Sequence, residues 1–163
     1  MPNELTAPEL IRDLQLLGQG LIALLLGGLI GWEREAQGKW AGLRTHMLVC
    51  FASAMIVDMG RLLIIDSQAV LDPDSLRVDP VRLIEAIVAG VSFLGAGTIF
   101  RDRDGQRMHG LTTAASLLAT VPLGIAVGIG RYILAVGLTL IVLFVLRVMA
   151  WVEKRVGLKN KDE

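Results

Sequence analysis

Five long runs of apolar residues constrain the fold of this chain more than any other feature. A helix that crosses the hydrocarbon core of a bilayer needs about 20 consecutive, mostly apolar residues. Runs of about that length cover residues 14–32, 45–65, 81–100, 111–130 and 132–151. We therefore predict an all-α integral membrane protein, with a bundle of about five transmembrane helices formed within residues 1–151.

Composition agrees with this prediction and excludes some partners. Apolar residues make up 53% of the 163 residues, slightly above the 45–50% of an ordinary soluble domain, and they are bunched into runs. The 16 basic and 16 acidic side chains cancel, so net charge indicates no nucleic-acid partner. The single cysteine, Cys50, can form no disulfide within the chain. The expected surroundings are the lipid bilayer.

Lysine and arginine are distributed unevenly between the two sides of the predicted membrane domain. Short loops that stay in the cytoplasm are enriched in these residues. The loops after the first and third runs, together with the C-terminal segment, hold eleven of them, and the other side holds five. We therefore expect the N-terminus outside, the C-terminus in the cytoplasm, and a basic cytoplasmic tail at residues 152–163.

Small residues are dense along the predicted spans. Lipid gives apolar side chains little reason to associate, so transmembrane helices gain stability by close backbone contact over small residues. Two GxxxG pairs and one further pair of glycines are the candidates for such contact: Gly27 and Gly31, Gly124 and Gly128, and Gly95 and Gly97. The pattern predicts tight packing of the helices within the chain. It is also compatible with a homo-oligomer, in which the same glycines would contact a second copy.

Four charged residues fall inside the predicted membrane spans. Asp58 and Arg61 lie three residues apart on the second span, and Arg82 and Glu85 lie three apart on the third. All four are expected at a similar depth in the outer part of the bilayer, where they could form one ion-pair network. Intramembrane charges are costly and often functional, so the alternative is an ion or proton pathway.

A second polar cluster lies on the predicted cytoplasmic side. It combines the first loop with the start of the fourth helix: Glu33, Arg34, Glu35, Lys39, Arg44, Thr45, His46, Thr112, Thr113 and Ser116. Free backbone donors and the helix dipole favour an anion at a helix N-terminus. Ordinary helix capping with positive loop charges is one interpretation of this cluster. A site for a phosphate, a lipid headgroup or a partner's carboxylate is the other.

Signs of catalysis and of metal or cofactor binding are absent from the sequence. His46 and His109 belong to no HExxH motif, and neither a GxSxG nor a P-loop pattern occurs. The second loop carries Asp66, Asp72, Asp74 and Asp79, but their spacing matches no known cation-binding loop. We therefore predict no enzyme, no cofactor and no metal site, with weak attraction of divalent cations as the alternative for the acidic loop.

Four ordered sequence blocks resemble the MgtC/SapB family. They are Gly31–Glu35 followed by Lys39–His46, then Asp79-Pro80-Val81-Arg82, Phe93–Ile99 and Gly110–Ser116. The resemblance implies a five-helix unit in the bacterial inner membrane. It also implies links to growth at low magnesium and to survival inside host cells, and one branch is thought to restrain the F-type ATP synthase. Val91-Ser92 and Glu85 depart from the family pattern, and the chain looks like the short SapB type, with the membrane domain only.

Two functions follow as hypotheses. The first is a non-enzymatic regulator of another membrane complex, with F-type ATP synthase as a candidate partner, or a protein of adaptation to low magnesium. The small-residue faces and short loops favour this hypothesis. The second is a small, oligomeric transporter or channel for ions or solutes, which the embedded charges favour. Five helices without an inverted repeat argue against a lone transporter.

Overall fold

The computed structural model describes residues 7–68, 79–102 and 108–156. Five helices account for most of this part of the chain: α1 (Ala7–Ala36), α2 (Leu43–Gln68), α3 (Pro80–Gly97), α4 (Leu111–Gly128) and α5 (Tyr132–Val156). All five are long and apolar enough to cross a membrane, which confirms the predicted five-helix membrane fold. Asp72 and Asp74 of the acidic loop, and the part of the predicted basic tail after residue 156, lie outside the described residues.

The third helix is shorter than the predicted span over 81–100. It starts as the sequence suggests, because the Asp79 carboxylate accepts a hydrogen bond from the Val81 backbone at 2.9 Å and Pro80 fits the first turn. It ends at Gly97, where Thr98 donates its hydroxyl to the Gly95 carbonyl at 2.7 Å. The apolar run continues for three more residues, but Thr98 and Ile99 lie outside the helix and Phe100 begins a different element.

That element is a short β-hairpin between α3 and α4. Strand β1 (Phe100–Arg101) pairs antiparallel with β2 (Met108–His109), with Phe100 opposite His109. Gly110 follows with a φ of 86°, and a Cβ atom there would overlap the Thr98 carbonyl oxygen. Only glycine suits this position, because it combines a left-handed backbone with close approach to another chain segment.

The two GxxxG pairs bring α1 and α4 against α2. A Cβ atom on Gly27 would lie 2.6 Å from the His46 carbonyl oxygen, and one on Gly31 would lie 2.6 Å from the Cα of Leu43. On α4, a Cβ atom on Gly124 would overlap the Cys50 carbonyl oxygen, and one on Gly128 would lie 2.7 Å from the Ala54 carbonyl oxygen. Such distances leave no space for a side chain, so both glycine pairs serve helix contacts within one chain. We call these two contacts, of α1 with α2 and of α4 with α2, the glycine seams.

The other helices lie around this centre. Helix α4 contacts all four remaining helices, whereas α5 packs on α1 and α4, and α3 packs on α4 with a slighter contact to α2. A Cβ atom on Gly95 of α3 would make only ordinary contact with Ala114, and one on Gly97 would meet nothing within 4 Å, so neither glycine is required by a close helix contact. We name the two ends of the bundle the hairpin end, which carries β1 and β2, and the Tyr132 end.

Candidate functional site

A cavity of about 740 Å³ opens at the hairpin end of the bundle. We call it the hairpin-end cavity. Its walls come from four regions: the loop between α1 and α2, the β-hairpin, the first turn of α4 and the last turns of α5. The polar lining residues include Arg34, Lys39, Asp102, Thr112 and Thr113. The fold therefore joins distant segments of the chain around one polar hollow.

Aromatic rings connect two walls of this cavity. Trp40, which is 78% exposed, meets Phe100 edge to face with ring centroids 5.3 Å apart. Phe100 in turn stacks on His109 at 5.3 Å, with the ring planes 17° from parallel. Both geometries are favourable for aromatic pairs. The loop between α1 and α2 is thereby held against the β-hairpin while much of the Trp40 surface stays free for contact.

Two charged residues at the end of α1 are buried as a pair. The Arg34 Nε donates to Glu33 at 2.6 Å, and the exposed fractions of the two side chains are only 2% and 3%. Gln37 donates from its amide to the other oxygen of the same carboxylate. Buried charges persist when each is paired and hydrogen-bonded. Arg34 is also one of the residues that line the hairpin-end cavity, but its charge is balanced by Glu33 and little of its side chain is exposed.

Glu35 and His46 hold the start of α2. The Glu35 carboxylate accepts from the Leu43 backbone at 2.8 Å, so it caps one of the unpaired donors of the helix. The imidazole of His46 is fully buried, and its Nδ1 faces the Gly42 carbonyl at 3.0 Å. A carbonyl only accepts, so Nδ1 carries the proton and donates. Glu35 and His46, two members of the predicted polar cluster, thus both have hydrogen-bond partners inside the protein.

The second nitrogen of His46 faces Ser116 on α4. His46 Nε2 lies 3.0 Å from the Ser116 hydroxyl, which also lies 2.9 Å from the Thr113 carbonyl. A hydroxyl has one proton, so it can donate to only one of these two partners. In a neutral ring Ser116 donates to Nε2, and in a charged ring it donates to Thr113 while Nε2–H donates to Ser116. The hydroxyl direction is therefore linked to the charge of His46.

The predicted polar cluster is divided by the structure. Arg34, Lys39, Thr112 and Thr113 line the hairpin-end cavity. Arg44 and Thr45 instead lie at the mouth of a separate groove between α2 and α3. The sequence placed all of these in one site because the two loops share one side of the membrane, but the first turn of α2 directs Arg44 and Thr45 away from the hairpin.

The four embedded charges do not form the predicted network. The Asp58 carboxylate is buried against α1, where the Gln19 amide, in the orientation that satisfies both of its neighbours, donates to the Asp58 oxygens at 2.8 and 2.9 Å and accepts from the Tyr132 hydroxyl at 3.1 Å. Arg61 donates to the Gly128 carbonyl at the end of α4, at 3.1 Å. Arg82 and Glu85 are exposed on α3. The described side chains of these four residues form no ion pair with one another within 4 Å.

Sequence reasoning missed several residues of these sites. Gln19 and Tyr132 are neutral, and neither lies near Asp58 in the sequence, so no spacing rule relates them to it. Phe100 and His109 were assigned to a helix end and a loop. The sequence did carry a signal for the hairpin, since the dipeptide Asp104-Gly105 between them is typical of tight β-turns.

Five membrane-length helices, packed through glycine seams, define this chain as a multi-pass helical membrane protein. The predicted resemblance is confirmed by comparison with family models. The model of the MgtC family matches residues 21–155, and the chain therefore belongs to the MgtC family.

Curated relatives agree with this assignment. Protein MgtC of Salmonella typhimurium (strain LT2) is 40% identical over 123 residues, covering 76% of this chain and 47% of the relative. Protein SapB of Bacillus subtilis (strain 168) is 35% identical over 146 residues, covering 86% and 60%. The "Putative magnesium transporter YhiD" of Escherichia coli (strain K12) is 37% identical over 140 residues, covering 86% and 63%.

The chain thus spans from about half to just under two thirds of the length of these relatives, between 47% and 63%. No solved structure matches the chain significantly.

Proposed function

We propose that this chain is a non-enzymatic protein of the bacterial inner membrane that regulates another membrane complex through its hairpin end. The observation that carries the proposal is the hairpin-end cavity of about 740 Å³. The excess of lysine and arginine in the adjoining segments favours placing this end in the cytoplasm. A cavity open to the cytoplasm can receive a segment of a partner.

The chemistry of the cavity suggests what it receives. Lys39 places a basic side chain in the lining, beside the acidic Asp102, and the N-terminal turn of α4 is a place where the helix dipole favours an anion. Trp40 adds an exposed aromatic surface of the kind enriched in protein interfaces. An acidic partner segment with apolar neighbours fits this lining. The family resemblance makes F-type ATP synthase the candidate complex, and adaptation to low magnesium the physiological setting.

Site-specific photo-crosslinking tests this proposal in bacterial membranes. A photoreactive amino acid replaces Trp40 at the cavity and, as a control, Ile133, which is 92% exposed near the Tyr132 end. We expect adducts with ATP synthase subunits from position 40, lost when Lys39→Glu reverses the charge, and none from position 133. Adducts of equal yield from both positions, or none from position 40, would contradict the proposal.

A functional measurement accompanies the crosslinking. ATP synthase is reconstituted into vesicles with and without this protein, and ATP-driven proton pumping is recorded. We expect pumping to fall when the protein is present and to recover when the Lys39→Glu variant replaces it. Unchanged pumping at a protein excess over the enzyme would exclude ATP synthase as the target.

A transporter is the second candidate, and the buried Asp58 is the observation that favours it. The name of the YhiD relative, "Putative magnesium transporter YhiD", also points to magnesium transport. Among the described residues, however, no three metal-ligating side chains gather, and magnesium prefers six oxygen ligands. A single carboxylate such as that of Asp58 is better suited to bind a proton than to bind magnesium. Flux of magnesium, potassium or protons in liposomes that changes in Asp58→Asn would establish this alternative instead.

A further inference from the structure

A second cavity, of about 480 Å³, lies between α2 and α3. We call it the α2–α3 groove. One wall is a row of residues at four-residue intervals along α2, namely Arg44, Leu48, Ala52 and Ile56. The opposite wall is a similar row on α3, namely Ala86, Gly90 and Leu94. Residues four apart share one helix face, and the small side chains in the middle of both rows leave the space between them.

The length of the groove matches one leaflet of a bilayer. Twelve residues separate Arg44 from Ile56, which corresponds to roughly 18 Å along a helix with a rise of 1.5 Å per residue. Half of the hydrocarbon core of a bilayer is about 15 Å thick. The groove therefore runs from the membrane surface at the hairpin end to about the middle of the membrane.

The width of the groove suits a hydrocarbon chain. Its volume of about 480 Å³ is far below the roughly 1,400 Å³ that a helix would fill over the same length. An α-helix with its side chains is about 10–12 Å across, which corresponds to a cross-section of about 80 Å² or more. A helix of another protein could cover the groove but could not enter it, whereas a single acyl chain can lie inside.

Polarity changes along the groove in the way a phospholipid requires. Ser53 is the one polar residue deep in the lining, and its hydroxyl donates to the Val49 carbonyl at 2.8 Å, so it offers no free donor. Arg44 and Thr45 are exposed at the other end, in the first turn of α2. An apolar channel thus ends in a guanidinium and a hydroxyl, which are suitable donors for a phosphate.

We propose that the α2–α3 groove binds an anionic phospholipid, with one acyl chain between α2 and α3 and the headgroup phosphate at Arg44 and Thr45. The lipid belongs to the leaflet at the hairpin end. It fills a face of α2 that the described part of the protein leaves open, and so completes the packing between α2 and α3. This inference does not depend on the partner or on the transport activity of the protein.

Spin-labelled lipids test the proposal with the full chain reconstituted in phosphatidylcholine vesicles. Electron spin resonance measures the fraction of spin-labelled phosphatidylglycerol, and of spin-labelled phosphatidylcholine, that the protein immobilises. A basic side chain near an anionic headgroup predicts about a fivefold preference for phosphatidylglycerol. We expect Arg44→Gln to abolish that preference. The matched control, Arg147→Gln, removes an exposed arginine from α5 near the same end and should retain it.

Filling the groove tests the position of the acyl chain. Gly90→Leu places a side chain where no atom lies within 4 Å of the added Cβ, so the fold should persist while the immobilised fraction of both lipids falls. Ala86→Leu is the second variant, used if Gly90→Leu fails to fold.

Two results would overturn the proposal. One is a lipid preference that Arg44→Gln and Arg147→Gln reduce equally, which would indicate diffuse charge attraction. The other is efficient disulfide crosslinking between copies that carry Ala86→Cys, without immobilised lipid, which would indicate a second chain over the groove.

Discussion

Helix α2 meets α1 and α4 on one side and α3 on the other, and the two sides differ in how closely the backbones approach. On the side of α1 and α4, which we call the closed side, glycines bring backbone against backbone at four positions. On the side of α3, which we call the open side, a Cβ atom on Gly90 would meet nothing within 4 Å, and a groove remains. Small residues therefore serve opposite purposes on the two sides.

The difference separates scaffold from binding surface. His46, Asp58 and the buried Glu33–Arg34 pair lie among α1, α2 and α4 and have partners inside the protein. Helix α3 instead exposes most of its length. The closed side is expected to be sensitive to substitution, and the open side tolerant. Three matched pairs of variants test this contrast, each measured by denaturant unfolding of the purified protein in detergent.

The largest contrast is expected between two arginines. Arg34→Met removes one member of a buried ion pair and leaves the Glu33 carboxylate without its charge partner, which costs about 3–5 kcal/mol. The double variant Glu33→Gln with Arg34→Met should recover most of this loss, because no unpaired charge remains. Arg44→Met, on the open side, should change the free energy of unfolding little. Similar losses of unfolding free energy in Arg34→Met and Arg44→Met would show that the buried ion pair does not contribute more to stability than an exposed arginine.

The second contrast is between two glycines. The methyl group of Gly124→Ala would overlap the Cys50 carbonyl oxygen, so α2 and α4 must separate, at an expected cost of about 3 kcal/mol. Gly90→Ala adds the same methyl group to open space, and the better helix propensity of alanine should make it neutral or slightly stabilising. A tolerated Gly124→Ala would mean that the seam between α2 and α4 is looser than its glycine contacts indicate.

The overall fold was accessible from sequence because bilayer thickness sets the length of an apolar helix. The five spans and the start of α3 at Asp79 and Pro80 follow from rules that act along one segment. The end of α3 does not follow from such rules, because Ile99 and Phe100 extend the apolar run although the helix has already ended at Gly97. Strands of two residues are also too short to produce a recognisable alternation of polar and apolar positions.

The candidate sites could be predicted from sequence only in part, because the residues that contact one another there come from different helices. The GxxxG pairs indicated close packing but did not say that both lie against α2. Asp58 and Arg61 are neighbours on one helix, yet one faces Gln19 of α1 and the other the Gly128 carbonyl of α4. Charge alone suggested that Arg82 and Glu85 would complete the set. Arg82 and Glu85 are exposed because of the way α3 is rotated about its axis in the bundle, and no rule based on the local sequence predicts that rotation.

The smallest contrast is between two serines, and it tests whether the closed side depends on polar contacts as well as on shape. Ser116→Ala removes the hydroxyl that faces His46 Nε2 at 3.0 Å and leaves this buried nitrogen without that partner, at an expected cost of about 1 kcal/mol. Ser92→Ala removes an exposed hydroxyl from α3 and should have almost no effect. Equal effects would mean that His46 is satisfied in some other way, for example by water. A larger loss for Ser116→Ala at low pH than at neutral pH would show that the hydroxyl matters most to the charged ring, since it then accepts the Nε2 proton.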